Sequence, residues 1–488
     1  MPNNGSISAE EIGWIVSGKE HYTGSRLQVR APFDQSVISD VWQATWTDAQ
    51  QAVTAAVDGF ARTSALGSWE RQRILATVAT RLQSEHEKFA QTIMREAGKP
   101  ISAARAEVDR AILTFRVAAE ESTRMGGEVL PLDLIPSSAG RWGLSRRFPC
   151  GPVLAIAPFN FPLNLVAHKL APAIACGCPV ILKPAPQTPL SSWLLVRAIL
   201  EAGWPEEALA FLPLSNQDTS RLVAEDDRIR VVSFTGSARV GWELKSLANR
   251  KRVLLELGGN AAMIVHRDWP DLEGAAQSAV NGGFGYSGQS CISVQRVYVQ
   301  QAIFQPFCDA VLRQVEKLRV GDPALDSTDV GPLIRESEAE RVENWIDEAI
   351  RSGATRLTGG KRTGSMIPPT VLTGTRSPMK VQDEEVFGPV ITVEPYEKFG
   401  DAIAAVNASR YGLQAGLLTR DAGLIQEAYR ALRVGAVIVG DAPTWRLDSM
   451  PYGGVKDSGE GREGVRYAME EMTEPRLLVM ALKPDPQG

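Results

Sequence analysis

The sequence predicts an α/β fold built on parallel sheets, and three observations carry that expectation. Between residues 152 and 257 the short apolar runs VLAIAP, VILKP, LAFLPL, RVVSF and VLLEL alternate with segments long enough for helical crossovers. The same alternation returns from about 258 to 440, which implies a second sheet. A chain of 488 residues exceeds the roughly 100 to 200 of one domain, and 44% hydrophobic content supplies more than one core.

Taken in order, residues 47 to 122 read as successive amphipathic helices. Apolar residues recur at helical spacing in stretches such as ERQRILATVATRLQ, and Gly98-Lys99-Pro100 punctuates them. These helices are expected to pack on a neighbouring sheet. The segment 125 to 148 is too short for a domain and reads as a hairpin excursion. After RVVSF, Thr235-Gly236-Ser237 forms a tight turn into a helix beginning near Ala238; Ser237 caps it, and the helix N-terminus can face a pyrophosphate. Alone, that turn is an ordinary strand-to-helix connection. No repeat, low-complexity tract or long linker interrupts the pattern.

Bulk properties exclude several function classes. Net charge is −5 with the two signs interleaved, so no field favours nucleic acid or an anionic membrane. The expected partners are small molecules and further copies of the chain. Five cysteines, at 150, 176, 178, 291 and 308, show no CxxC spacing, which fits a reducing cytosol. No apolar run approaches the roughly 18 residues of a spanning helix, and Met1-Pro2-Asn3-Asn4-Gly5 lacks a signal pattern, so a soluble cytoplasmic protein is expected. The histidines, at 21, 86, 168 and 266, are not spaced as metal ligands with cysteine, and the chemistry requires no metal. Gly285-Tyr286-Ser287-Gly288 lacks the spacing of a serine nucleophile elbow, and Gly359-Gly360-Lys361 has no phosphate-loop context.

The reactive pair is Cys291, preceded by Gly288-Gln289-Ser290, and Glu256 in the run Leu255-Glu256-Leu257-Gly258-Gly259. A cysteine attacks carbonyl carbon well because its thiolate, from a free value of about 8.5, is accessible near neutral pH. A glutamate can then activate the water that clears the resulting thioester.

At these residues the chain resembles the NAD(P)-dependent aldehyde dehydrogenase superfamily. Further matching runs are PFNFP at 158 to 162, FTGS at 234 to 237, EEVFGP at 384 to 389 and PYGGVKDSGEGREG at 451 to 464. The stretch GDAPTWRLDSMPYGGVKDSG is similar to lactaldehyde and phosphonoacetaldehyde dehydrogenase-like members. The resemblance implies an aldehyde dehydrogenase-like fold: two Rossmann-type parallel-sheet domains plus a small β oligomerisation arm. Residues 1–124 and 148–257 would bind the dinucleotide, 258–469 would form the catalytic domain, and 125–147 with 470–488 would join subunits into a homodimer or homotetramer.

By the same resemblance Asn160 would donate to the oxyanion together with the Cys291 backbone N–H, because a side-chain amide donates without a proton to lose. Lys169 and Glu463 match a proton-relay pair, and a structural ion pair is the bland alternative. Ile156, Lys183, Ala185, Pro186, Gly236, Ser237, Val240, Leu257, Glu385 and Phe387 would hold NAD(P). Lys183 would meet the adenosine ribose, Glu385 the nicotinamide ribose, and Phe387 the nicotinamide ring. Substrate would lie among Phe161, Leu165, His168, Arg446 and Tyr452. Arg446 and His168 are polar in a tunnel that often is not, which favours a small anionic or hydroxylated aldehyde unless Arg446 is tied to an acid such as Asp441 or Asp448.

Two departures bear on the cofactor. The stretch Leu212 to Asp218 has no glycine where the family often has a glycine-rich loop. Pro186 stands where many NAD-preferring members carry glutamate, so nothing there repels a 2′-phosphate, and NADP is expected to be accepted. The alternatives are a CoA-acylating dehydrogenase, a silent scaffold of the same fold and, as a side activity, a nucleotide-independent thioesterase or esterase. Glu256 argues against the first, joint retention of Cys291, Glu256, Asn160 and Glu385 against the second, and loss of turnover without nucleotide would exclude the third.

Overall fold

The computed structural model describes residues 10–481. The N-terminal pentapeptide and the last residues of the expected arm, 482–488, lie outside them. The first sheet runs in the order Gly459–Glu460, Arg252–Glu256, Val231–Thr235, Val153–Ile156, Val180–Lys183, Leu209–Phe211, Trp14–Val16, Lys19–His21. Its five central strands are parallel, as the five apolar runs predict. The chain starts in the middle at Val153–Ile156, winds outward to Leu209–Phe211, then crosses back to place Val231–Thr235 on the other side. That reversal leaves a crevice beyond the carboxyl ends, where open α/β sheets bind ligands. Ile156, Lys183, Thr235 and Glu256 end their strands in that row, with Ile156 opposite Lys183 and Thr235 opposite Glu256.

Four helices, Trp46–Ala65, Ser68–Ser84, His86–Ala97 and Ile101–Glu121, occupy the stretch where apolar spacing predicts them. Thr45 starts the first, accepting from the Asp48 N–H while Asp48 accepts from the Thr45 N–H. Gly98, at φ +64°, stops the third. A buried carboxylate from the fourth positions the active site: Glu107 accepts from the N–H groups of Leu163 and Asn164, at 2.9 and 3.1 Å. It thereby satisfies the open end of helix Asn164–Cys176, which is buried on every side.

The second sheet orders Thr355–Thr358, Thr370–Thr373, Val390–Tyr396, Val294–Gln300, Ala261–Val265, Gln414–Leu418 and Ala436–Val439, parallel except for the first pair. A third, antiparallel sheet joins Gly127–Pro131, Arg141–Pro149 and Thr473–Ala481. Strands at Glu10–Ile12, Arg26–Arg30 and Val37–Trp42 form a small sheet that apolar patterning does not announce, because these strands are short and polar residues interrupt their apolar ones. Gly459–Glu460 pairs with Leu255–Glu256 of the first sheet, across the 257/258 division drawn from sequence. This pairing carries Glu463 toward Glu256.

Candidate active site

A cleft of about 580 Å³ runs along the carboxyl ends of the first sheet and ends between the two sheets. Its wall contains every expected dinucleotide residue, from Lys183, Ala185 and Pro186 through Gly236, Ser237 and Val240 to Glu385 and Phe387, with Ile156 and Leu257 beside them. Cys291, Asn160 and Glu256 line the same cleft. Residues distant in sequence meet there because the ends of the first sheet face the loop before Val294–Gln300 of the second.

That loop is held tightly. Tyr286 and Ser287 are left-handed at φ +48° and +55°, an uncommon state for side-chain-bearing residues, followed by Gly288 at +71°. The Ser287 hydroxyl donates to Gly331 O at 2.7 Å, the Tyr286 hydroxyl to Ala97 O at 3.2 Å, and Gln289 Oε1 accepts from the Ile334 N–H at 2.9 Å. Cys291 follows, half-buried, with its Sγ 2.9 Å from the Tyr452 hydroxyl. Burial pushes its thiol up to about 11, against the pull of Tyr452 and Arg446. Burial therefore works against the ready thiolate that a free cysteine suggests, and Tyr452 and Arg446 work for it.

Asn160 Nδ2 donates to Gln289 O at 2.9 Å, which fixes the amide and leaves its second hydrogen available. Glu256 is buried and its Oε2 has no partner. Burial, reinforced by the charge of Glu463, raises its carboxyl well above the usual range. Glu463 is also buried, yet His168, Arg446 and Lys169 outweigh its desolvation and hold it low. Two buried carboxylates thus have their titrations driven apart, the pattern by which one serves as a base near neutral pH. Lys169 donates to Ser233 Oγ and Thr235 Oγ1, at 3.1 and 2.7 Å, and lies 3.9 Å from Glu463.

Of the expected substrate residues, only Leu165 lines this cleft directly. Arg446 is buried, donates to Glu463 Oε2 at 2.9 Å, and stacks its guanidinium 3.7 Å from the centre of the Tyr452 ring. Its tie is to Glu463, with Asp448 further off at 3.8 Å, while Asp441 accepts from Ser278 instead. His168 is buried, with its Nε2 2.8 Å from Asp448 Oδ1, to which it donates when protonated there, and 3.3 Å from the Arg446 guanidinium. Arg446 Nε and His168 Nδ1 have no hydrogen-bond partner.

Sequence reasoning missed Arg110, which grips Asp448 with two hydrogen bonds of 3.0 and 2.8 Å and lies 5.6 Å from the Phe161 ring. It also missed Lys99, which pairs with Glu107 and sits over Phe161 and Tyr286, at 3.7 and 4.3 Å. Both lie in the helical stretch read only for packing. Nothing in their spacing distinguishes them from solvated cations.

The cleft suits a dinucleotide. Lys183 is buried with a single weak partner, Asn216 Oδ1 at 3.4 Å, and burial lowers its ammonium to about 8. Ser237 caps helix Ala238–Leu247, whose N-terminus opens onto the cleft. Glu385 accepts from the Gly259 N–H at 2.9 Å, and a Cβ on Gly258 would collide with its carboxylate. Burial raises that carboxyl to about 7, as suits a group awaiting hydroxyl donors.

Comparison with known proteins agrees with this geometry. Residues 19–478 match the aldehyde dehydrogenase family. Over 473 residues the chain is 42% identical to a 3-sulfolactaldehyde dehydrogenase of Priestia aryabhattai, covering 97% of this chain and 98% of that protein. It resembles the structure of aldehyde dehydrogenase 21 from Physcomitrella patens, in complex with the reaction product succinate, with a TM-score of 0.95, 42% identity and coverage of 97% and 99%. The glyceraldehyde-3-phosphate dehydrogenase GapN of Methanocaldococcus jannaschii, complexed with NADP, gives a TM-score of 0.91 at 35% identity, covering 95% of this chain and 100% of that one.

Proposed function

This chain belongs to the aldehyde dehydrogenase family, and we propose that it oxidises small aldehydes bearing an anionic group, with Cys291 as nucleophile. It is an NAD(P)-dependent enzyme that converts an aldehyde to a carboxylic acid. The observation that carries the residue assignment is the convergence of Cys291, Asn160 and Glu256 at one end of a cleft whose other end holds Lys183 and Pro186.

Cys291 Sγ adds to the carbonyl carbon, and the free Asn160 Nδ2 hydrogen stabilises the oxyanion of the thiohemiacetal. NAD(P), when bound, supplies the hydride acceptor, held by Lys183, Ser237, Glu385 and Phe387. Loss of hydride leaves a thioester on Cys291. Glu256 takes a proton from the water that hydrolyses it, releasing the acid and restoring the thiol. Lys169 and Glu463 stand behind Glu256 to carry the proton onward. A carboxylate placed to take a proton from water favours hydrolysis over transfer to CoA.

Substrate class rests on the cations around the tunnel. Arg446, stacked on the tyrosine that touches Cys291, is already paired with Glu463, whereas Arg110, partly open and beside Phe161, spends Nε and Nη2 on Asp448 and keeps Nη1 for an anionic group. Charge-assisted hydrogen bonds from such groups are worth about 1.5 to 3 kcal/mol each. The sulfonate of the sulfolactaldehyde and the carboxylate of succinate, handled by relatives, are groups of this kind.

The arm of the third sheet exposes Val129, Leu134, Ile135, Leu477, Leu478 and Val479, a row of apolar side chains that supports its reading as the surface joining two or four subunits. On the same reading, residues 1–124 and 148–257 form the dinucleotide-binding domain and 258–469 the catalytic domain.

The test is a panel of aldehydes with NAD and NADP separately, followed by reduced-nicotinamide absorbance. Three- and four-carbon aldehydes ending in carboxylate or sulfonate should exceed propanal and hexanal in kcat/KM by about tenfold to a hundredfold. Equal turnover of propanal would overturn the substrate class. Full activity in Cys291→Ala would overturn the mechanism.

A further inference from the structure

Tyr452 is held more firmly than a tunnel-lining residue needs to be. Its N–H donates to Glu463 O at 2.9 Å and its carbonyl accepts from the Glu463 N–H at 2.6 Å. Its ring carries the Arg446 guanidinium at 3.7 Å, and Arg446 is itself anchored to the Glu463 carboxylate at 2.9 Å. Backbone, ring and cation together leave the phenol one direction, toward Cys291 Sγ at 2.9 Å.

We propose that Tyr452 is a catalytic residue whose hydroxyl donates to the Cys291 thiolate, with Arg446 on its ring strengthening that donor. The inference rests on Cys291 being the nucleophile. A thiol can act as either partner in this hydrogen bond, but a thiolate has no proton, so after ionisation only the phenol can donate. The proton lost from sulfur leaves through the cleft that Cys291 lines, and the phenol keeps its own. Burial and the neighbouring sulfur hold the Tyr452 hydroxyl well above its usual value, which keeps it a donor throughout. The charged groups that act on Cys291 divide: Arg446 favours the thiolate, Glu385 and Glu256 oppose it. When sulfur bonds to the substrate carbon it becomes a poor acceptor and the bond to Tyr452 is given up. Tyr452 therefore makes thiolate easier to form and each thiolate somewhat less reactive.

Those opposite effects supply the test. The rate of iodoacetamide alkylation of ligand-free enzyme is followed against pH and read at the Cys291 peptide by mass, since Cys150 is also half-exposed. Between about pH 7 and 9, Tyr452→Phe should slow alkylation about three- to tenfold: a thiol about one to two pH units weaker as an acid yields less thiolate, and its greater nucleophilicity returns about half of that loss on a logarithmic scale. At 452, 3,5-difluorotyrosine keeps the shape and strengthens the donor, so it should speed alkylation, a direction that a merely structural tyrosine would not give. An unchanged or faster rate in Tyr452→Phe, or an unchanged or slower rate with difluorotyrosine, overturns the proposal. The assay needs no turnover, so it stands apart from the outcome of Cys291→Ala on the nucleophile assignment.

Discussion

Replacing Lys183 by methionine should make the protein more stable and its cofactor weaker at once. Lys183 closes strand Val180–Lys183, is only 6% exposed, and has one weak hydrogen bond and no carboxylate partner. Burial lowers its ammonium from 10.5 to about 8. At about 1.4 kcal/mol per pH unit, carrying that charge in the folded state costs about 3 kcal/mol. Because the folded value is depressed, the cost is complete below about pH 8, fades as pH rises toward 10.5, and is gone above it. Methionine fills similar volume without charge and removes the cost. Lys183→Met should accordingly raise the apparent Tm by about 3 °C or more at pH 7, and the gain should shrink by pH 10. Dinucleotide binding, followed by fluorescence titration, should weaken about tenfold to a hundredfold, more for NADP than for NAD, since a 2′-phosphate takes the stronger charge-assisted bond. An unchanged Tm at both pH values with undiminished NADP binding would refute the account of Lys183 as a cation kept unpaired for its ligand.

Glu256→Gln should still transfer one hydride per active site, seen as a burst of reduced nicotinamide equal to the enzyme concentration, followed by slow release; unaltered steady-state turnover would exclude the base role. Asn160→Ala should lower kcat by about 10² to 10³, the usual effect of losing one oxyanion donor, whereas a change confined to KM would assign Asn160 to ordinary binding. Pro186→Glu should shift preference toward NAD by placing a carboxylate near the 2′-position, with the ratio of kcat/KM for the two nucleotides as the measure. A wild type inactive with NADP and an unmoved ratio would show that Pro186 does not face the adenosine ribose.

Legibility in the sequence follows the range of the forces involved. The five central strands of the first sheet and the four helices before them were readable because burial imposes a period on neighbouring residues: continuous apolar runs for strands covered on both faces, recurrence every three or four residues for helices covered on one. Cys291, Glu256, Asn160 and the dinucleotide wall were readable as local runs, each a loop or strand end whose chemistry depends on a few adjacent residues. The N-terminal strands escaped because they are short and their buried side chains, such as Val29, Ile38 and Val41, are too few and too interrupted by polar residues to set a period. The charge relationships were decided only by tertiary structure. Whether Arg446 meets Asp441, Asp448 or Glu463 depends on the return of Gly459–Glu460 to the first sheet. Arg110 reaches Asp448 from a helix whose own spacing says nothing of it. The same holds for titration: one glutamate is raised and the other lowered by burial and by neighbours arriving from elsewhere in the chain. Local patterns arise from burial repeated along the chain, whereas a site's electrostatics arise from the few groups that folding brings within hydrogen-bonding reach, and no sequence interval encodes those distances.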